Sequence, residues 1–318
     1  MTKDRVLYIL RKSGGYVSGE DISHSLGISR MAVSKSIAAL RSEGYEIDSK
    51  TNCGHKLIGE PESFTRTGVA SYLENGSDIL FFDELPSTNT YLKSLEDAAD
   101  GICAVALRQT AGRGRRGHSF FSPGGLYMSV LIHPRCCFSE LSCLTAFTGV
   151  AVCEALNEVC GVSACVKWVN DVLLDGKKVA GILTELVTEA DSDFVSAAII
   201  GVGINTDSAV FPPELEDIAG SVADIAQIRV DKNRLCAVLY EKLLALRTDL
   251  TENKEILLQK YRRLCCTVGS PVTVLTDPPY EAEAIAVGDD CSLIVELEGG
   301  QQRRISFGEV SVRPKQSK

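Results

Sequence analysis

Three arginines and three glycines stand within six residues at Gly112-Arg113-Gly114-Arg115-Arg116-Gly117, inside a longer run spanning 109–125. Guanidinium forks match phosphate and carboxylate oxygens, and glycine lets a backbone approach a ligand closely. The composition opposes a stable helix or strand, so the segment reads as a loop that orders around an anion. Two phosphate-binding patterns fit it superficially. Gly112, Gly114 and Gly117 satisfy G-x-G-x-x-G, and residues 112–119 fit a P-loop with His118 in the lysine position. Both patterns work by opening a helix whose N-terminus holds phosphate. Here the continuation is His118-Ser-Phe-Phe-Ser-Pro-Gly-Gly125, which breaks helices. Neither nucleotide fold is expected, and for an Arg/Gly run taken alone a surface loop that binds nothing is the plain alternative.

Charged residues recur around Asp175-Gly176, a two-residue hairpin signal between the runs 166–174 and 177–186. A regular register sets 173 opposite 178, 171 opposite 180 and 167 opposite 184. Alternation then puts Lys167, Asp171 and Lys178 on one face. Two ammonium groups and a carboxylate are costly to bury unless they pair or meet an anion, although a solvated face also accommodates them. Ser87-Thr88-Asn89 offers hydroxyls and an amide at a helix start, where a cap is the simplest role. Residues 197–204, with Gly201 and Gly203, read as a strand that a ligand or another backbone can approach closely, and Asn205 follows as a turn residue.

The elements that hold these groups follow from periodicity. Val6, Leu7, Ile9 and Leu10 define a helix over 3–12, ended by Gly14-Gly15. Ser18 caps a short second helix with Asp21 as a capping-box variant, Gly27 makes the turn, and Ser29 caps a third helix to about Arg41. Val33, Ile37 and Leu40 mark the buried side of that helix, which leaves Ser29, Arg30, Ser34 and Lys35 on the other. A short helix, a glycine turn and a polar-faced helix make a helix-turn-helix, and the alternating stretch 45–58 around Asn52-Cys53-Gly54 adds the wing. A helical packing or dimerisation module is the alternative. Residues 59–62 read as a linker. Strands are expected at 79–85, 103–108 and 126–132, a helix from Ser87 through Leu95, and helices at 141–159, 231–250 and 254–264. Five short strands after Gly269 (272–275, 282–287, 293–298, 302–307 and 310–312) suit a small barrel.

Composition sets the outer limits. The chain has 318 residues, 45% hydrophobic and 24% charged, with no apolar run of membrane-spanning length and no signal peptide at its start, so a cytoplasmic protein without membrane contact is expected. Its twelve cysteines include no C-x-x-C and two adjacent pairs, Cys136-Cys137 and Cys265-Cys266, so they do not read as a disulfide framework. Four scattered histidines give no structural metal site. Residues 1–59 carry nine Lys/Arg and six Asp/Glu, a net +3 that leaves −12 for the remainder. A basic head on an acidic body points to nucleic acid contact through the head alone.

Taken in order, Pro86-Ser-Thr-Asn89, Gln109-Thr-Ala-Gly-Arg-Gly-Arg-Arg-Gly117, Lys167-Trp-Val-Asn-Asp171, Lys178-Val-Ala-Gly-Ile-Leu-Thr-Glu-Leu186 and Gly201-Val-Gly-Ile-Asn205 resemble biotin protein ligases. With the winged helix in front, the chain resembles the bifunctional members that also repress biotin genes. The resemblance implies an α+β protein of three domains: a winged helix-turn-helix over 1–60, a central mixed-sheet α/β ligase domain of class II synthetase-like type over 65–266, and a small SH3-like β-barrel over 267–318. It implies a ligase that forms biotinyl-5′-AMP from biotin and ATP, with Mg²⁺ accompanying ATP. Biotin then passes to a lysine of a carboxyl carrier domain, such as that of acetyl-CoA carboxylase.

By the same resemblance Ser87, Thr88, Asn89, Gln109, Arg113, Gly114, Arg115 and Lys178 hold biotin. Arg115, Phe120, Asn170, Asn205 and Arg313 serve ATP, while Lys178, Arg115 and Asp171 act in catalysis. Ser29, Arg30, Ser34 and Lys35 are the DNA-contacting set. A homodimer that forms when the adenylate is bound, and that reads operator DNA with the adenylate as corepressor, is also implied. Three departures from the family pattern stand out: Val169 in place of a common proline, Phe120 in place of an adenine-stacking tryptophan, and His118 in place of a frequent arginine. A lipoate or octanoate ligase and a biotin-sensing repressor without ligase activity are the alternative readings.

Overall fold

A computed structural model of the chain describes residues 2–74, 79–117, 120–121, 124–134, 141–188, 195–306 and 312–314. They fall into two compact units, residues 1–81 with 231–238 and residues 82–230 with 239–318.

In the first unit, helices α1 (Thr2–Ser13), α2 (Gly19–Leu26) and α3 (Arg30–Ser42) enclose Val6, Leu7, Leu10, Ile22, Val33, Ile37 and Leu40. Each boundary has a local cause. Ser18 Oγ accepts from Asp21 N at 3.0 Å and Ser29 Oγ from Ala32 N at 3.2 Å, which satisfies amides that a helix start leaves open. Gly27 ends α2 in the left-handed region, at φ 63°. Strands β1 (Glu46–Lys50) and β2 (Gly54–Gly59) then pair antiparallel, with Lys50 opposite Gly54, and form the expected wing; short helix α4 (Arg66–Ala70), capped by Thr65, follows.

The wing is tied down at its tip. Val17 and His55 exchange backbone hydrogen bonds of 2.9 and 2.8 Å, so the turn before α2 becomes a third short partner of the hairpin. Gly54 is what allows this approach. Its φ is +100°, and a Cβ there would fall 2.1 Å from the Val17 carbonyl oxygen. Gly54→Ala is therefore expected to lower the stability of this unit by about 2 kcal/mol or more through steric overlap and backbone strain together. Thermal unfolding of the isolated variant checks it, and an unchanged midpoint contradicts it.

The second unit is built on a seven-stranded sheet of order β3-β4-β5-β9-β8-β7-β6. Its strands are β3 (Ile79–Leu85), β4 (Cys103–Gln109), β5 (Leu126–Ile132), β6 (Cys165–Lys167), β7 (Asp171–Leu174), β8 (Lys177–Thr188) and β9 (Val195–Ile204). Helix α5 (Thr88–Lys93) covers one face through Leu92, which packs with Ala104, Leu131, Ala197 and Ile199. It stops at Lys93, short of the Leu95 expected from sequence. Helix α6 (Leu144–Cys160) covers the other face. Gly149 brings it close to Val166 and Ile182, and Thr145 meets Thr184 hydroxyl to hydroxyl at 2.5 Å.

The continuous strand expected over 166–174 is broken. Residues 165–167 and 171–174 form a hairpin of their own, with Lys167 opposite Asp171, so Lys167 never reaches position 184. The reason is tertiary. Trp168 is 5% exposed, its amide donates to Thr267 Oγ1 at 2.8 Å and its indole Nε1 to the Cys291 carbonyl at 3.0 Å. The ring is anchored in the C-terminal segment and pulls 168–170 out of strand register. The hairpin at Asp175-Gly176 holds as expected from 173 to 178 and then slips. Asp171 pairs with Gly181 rather than with position 180, because a bulge leaves Val179 extra.

Short helix α7 (Val222–Ala226) follows the sheet, and α8 (Lys232–Glu252) and α9 (Lys254–Leu264) lead to the C-terminal strands. These are β10 (Pro271–Val274), β11 (Tyr280–Val287), β12 (Leu293–Glu296), β13 (Gln302–Ile305) and β14 (Val312–Pro314), one antiparallel sheet of order β13-β12-β11-β10-β14. Of the expected last strand over 310–312, residues 310 and 311 lie outside the described residues, and residue 312 opens β14. Among the described residues no helix is long and apolar enough to cross a membrane.

Candidate active site

The sheet face under α5 carries a cavity of about 260 Å³ lined by Ser87, Thr88, Asn89, Gln109, Arg113, Gly114, Arg115, Phe120, Asn170, Asp171 and Lys178, above Gly181, Gly201 and Gly203. Side-chain alternation makes its floor. Tyr127, Ser129 and Leu131 of β5 stand opposite Gly203, Gly201 and Ile199 of β9, all on this face, while Met128, Val130, Ile200 and Val202 turn into the core. Small residues in the middle of the floor leave space. A Cβ at Gly201 would fall 2.0 Å from Asn89 Oδ1, and Cβ atoms at Gly181 and Gly203 would fall 2.8 and 2.7 Å from the Phe120 ring.

The end formed by α5 is a closed polar network. Ser87 caps the helix, and Ser87, Thr88 and Asn89 are each 4% exposed. Thr88 N donates to Gln109 Oε1 at 2.9 Å. Ser129 Oγ lies 2.7 Å from Thr88 Oγ1 and 2.6 Å from Asn89 Oδ1, and the Asn89 amide donates to Glu185 Oε2 at 3.0 Å. Every one of these groups has its geometry set before a ligand arrives, which a site for a small polar ring requires.

The opposite end is charged. Lys178 Nζ sits 2.6 Å from Asp171 Oδ1 in a charge contact that is not aligned as a hydrogen bond, with the two side chains 28% and 23% exposed. The bulge at Val179 makes this possible. It brings Lys178 into phase with Gly181, Leu183 and Glu185, so the ammonium shares their face. The Arg/Gly segment reaches over from β4. Arg115 Nη1 donates to Asn170 Oδ1 at 3.1 Å, Arg113 Nη1 lies 3.4 Å from Glu185 Oε1, and Phe120 N closes the loop on Gly112 O at 2.9 Å. The Phe120 ring rests over Gly181 and Gly203, with Lys178 Nζ 6.0 Å from its centroid and Tyr127 edge-on at 6.4 Å.

Glu185 and Ser129 were not singled out from sequence, although Glu185 ties both ends together. Burial pushes its carboxyl up, but the Asn89 amide, Arg113 and Lys93 outweigh that and hold it below its ordinary 4.5. The folded carboxyl is the more acidic one. Its stabilisation is complete above the ordinary value and lost as pH falls through the lowered one. Urea unfolding of Glu185→Gln and the unaltered protein, run from about pH 6 to about pH 3, is expected to show a constant gap that closes only at the acid end. A gap that is unchanged at the lowest pH contradicts this.

Two expected residues stand apart. Asn205 is 4% exposed and does not line the cavity. Its Nδ2 donates to Gly220 O at 3.2 Å, and its Oδ1 is buried without a hydrogen-bond donor among the described residues. Arg313 pairs with Thr273 in the C-terminal sheet, and its side chain lies outside the described residues, as does all of His118. In the first unit Ser29, Arg30, Ser34 and Lys35 are exposed together on α3, with Met31 between them at 71% exposure. Among the described residues no cluster of three His, Cys, Asp or Glu side chains could hold a metal ion by itself.

Fold and site together match a class of acyl-transferring ligases. The family model described as Biotin/lipoate A/B protein ligase family matches residues 81–205, an HTH domain model matches 2–56, and the Biotin protein ligase C terminal domain model matches 267–313. The bifunctional ligase/repressor BirA of Bacillus subtilis is 36% identical over 241 residues, 73% of this chain and 74% of the relative. That of Salmonella typhimurium is 30% identical over 313 residues, 96% of each chain. Among solved structures, the biotin protein ligase from Aquifex aeolicus in complex with biotin and ATP superposes with a TM-score of 0.66 at 28% identity, over 74% of this chain and 99% of that one. The chain belongs to the biotin protein ligase family, among its bifunctional ligase/repressor members.

Proposed function

We propose that the chain forms biotinyl-5′-AMP from biotin and ATP and then transfers biotin to a lysine of a biotin carboxyl carrier domain, such as that of acetyl-CoA carboxylase. The observation that carries this reading is the division of one cavity into a neutral, fully hydrogen-bonded end at Ser87–Asn89 and Gln109 and a cationic end at Lys178 and Arg115. Biotin's ureido ring needs donors and acceptors once buried, and the first end supplies both. Its carboxylate must attack the α-phosphorus of ATP against mutual repulsion. Lys178 and Arg115 offset that repulsion and the charge that develops on the phosphoryl oxygens. Arg113, Gly114 and Arg115 then close over the mixed anhydride and keep water from it.

Phe120 is the adenine-stacking candidate, and Asn170 the residue that holds Arg115 beside the phosphates. Asn205 and Arg313 keep a nucleotide-side role only as an extension of the family resemblance. Mg²⁺ fits the donor set through Asp171, whose buried Oδ1 makes no aligned hydrogen bond and which would hold the ion together with the ATP phosphates. The ion would supply charge neutralisation at the phosphates. Dependence on ATP supports a cytoplasmic location for the reaction.

Residues 1–60 are proposed as the operator-binding domain, 65–266 as the catalytic domain and 267–318 as its C-terminal companion. Exposed Arg30, Ser34 and Lys35, with Ser29 at the helix entry, suit the major groove. Two copies joined when the adenylate is bound would match a palindromic operator. The test is direct: incubation with ATP, labelled biotin and a carrier domain yields covalently labelled carrier, whereas labelling by lipoate or octanoate alone, or no labelling, overturns the assignment. Gel-shift titration with and without biotin and ATP tests the repressor half. Equal operator affinity in both removes the adenylate as corepressor.

A further inference from the structure

Among the described cysteines two pairs bring thiols into contact, Cys143 with Cys291 and Cys165 with Cys266. Both members of the first pair are 0% exposed, out of reach of solvent. The second pair lies at the surface. Val166 and Cys265 are partners in a parallel bridge and both face inward, at 0% and 6% exposure, while Cys266 N donates to the Val166 carbonyl at 2.9 Å. Alternation along β6 turns Cys165 to the side opposite Val166, and the turn after Cys265 holds Cys266 against the Val166 carbonyl next to it. Cys266 is exposed, and its Sγ also lies 3.4 Å from Val166 O. The proposed reaction uses neither thiol.

We propose that Cys165 and Cys266 are a reversible dithiol–disulfide site, which covalently joins β6 to the entry of the C-terminal sheet when a hydroperoxide is present. The Cys165 thiolate attacks the peroxide oxygen, breaks the O–O bond and becomes a sulfenic acid as hydroxide leaves and takes up a proton. The Cys266 sulfur then attacks the sulfenic sulfur, and the second oxygen departs as water. Two thiols and one hydrogen peroxide give one disulfide and two waters.

The two sulfurs are suited to different parts. A hydrogen bond from the Cys266 thiol outweighs burial and holds Cys165 down to about 7, while the same contact and burial push Cys266 up. Cys165 is therefore the attacking sulfur and Cys266 the resolving one. The link has a mechanical consequence as well. It would close a loop of roughly 100 residues, and the chain runs from Cys165 through the anchored Trp168 to Asn170 and Asp171 in the cavity.

The experiment treats the full chain with hydrogen peroxide, alkylates it under denaturing conditions and maps the digest by mass spectrometry. The expected result is two fewer alkylated thiols than the reduced chain's twelve, a Cys165–Cys266 linked peptide, and reversal by dithiothreitol. Native-state alkylation of Cys165 should show a midpoint near 7 that moves upward in Cys266→Ser. Oxidation should also raise Tm by roughly 5 °C or more in the unaltered protein and not in Cys266→Ser. Cys143→Ser should leave the link intact. Twelve free thiols after peroxide, sulfinic acid at Cys165 without a link, or loss of two thiols that persists in Cys266→Ser each overturns the proposal. Cys266 is exposed, so its serine variant is expected to fold.

Discussion

Lys178→Ala is expected to slow formation of biotinyl-adenylate by about 10²–10³-fold, the range found when one preorganised charge is removed from a site where charge develops. The ammonium has two duties in the geometry described. It faces the cavity beside Arg115, and it neutralises Asp171, whose Oδ1 lies 2.6 Å away and is itself buried. Its removal leaves a negative carboxylate where phosphate must bind, so the loss exceeds that of a missing contact alone. Asp171→Asn in the same background separates the two duties. If repulsion from the orphaned carboxylate matters, the double variant recovers part of the lost rate. Pyrophosphate release in the first turnover is the measurement. An unchanged rate in Lys178→Ala removes the lysine from the reaction, and a double variant no faster than the single one assigns the whole effect to the missing ammonium.

Gly201→Ala is expected to weaken biotin binding by about 10²-fold and to lower stability by roughly 1–3 kcal/mol, the usual cost of an added methyl group in a filled interior. The new Cβ would stand 2.0 Å from Asn89 Oδ1. Asn89 has little room to yield, because Ser129, Leu183 and Glu185 hold its oxygen and nitrogen. Displacing it costs Ser129 and Glu185 one partner each, so one methyl group disturbs the whole polar end. Calorimetric titration with biotin and thermal unfolding give the two numbers. Full affinity in this variant means that Asn89 is not part of the biotin pocket.

How far the sequence reveals this site differs between its two ends. Ser87, Thr88, Asn89 and Gln109 were legible as polar residues near element boundaries, and the cap at Ser87 follows from type and position alone. That they face one cavity depends on α5 folding back over β5 and β9, a long-range event with no local sign. Lys178 and Asp171 share a face as alternation predicts. The path differs, since the bulge changes the partner of Asp171 and a second hairpin supplies Lys167. Neither shift is visible locally, because Trp168 causes one of them by bonding to residues some 100 positions away. Glu185 escaped notice for a simple reason. A lone acid in an apolar strand looks like a solvated position until Asn89, Arg113 and Lys93 are seen around it. In the first unit the reading was close to complete, because caps, a glycine turn and a hairpin are all written within a few residues of each other.

The extra residue at Val179 leaves strand β8 tolerant of one particular shortening. Lys178 and Gly181 share a side only because the bulge absorbs one of the three steps between them. A chain one codon shorter there would pair evenly with β7, set Lys178 two positions from Gly181 and keep the ammonium on the cavity side. Losing two codons would instead turn it toward α6, so natural variation in length at this position should come in single steps.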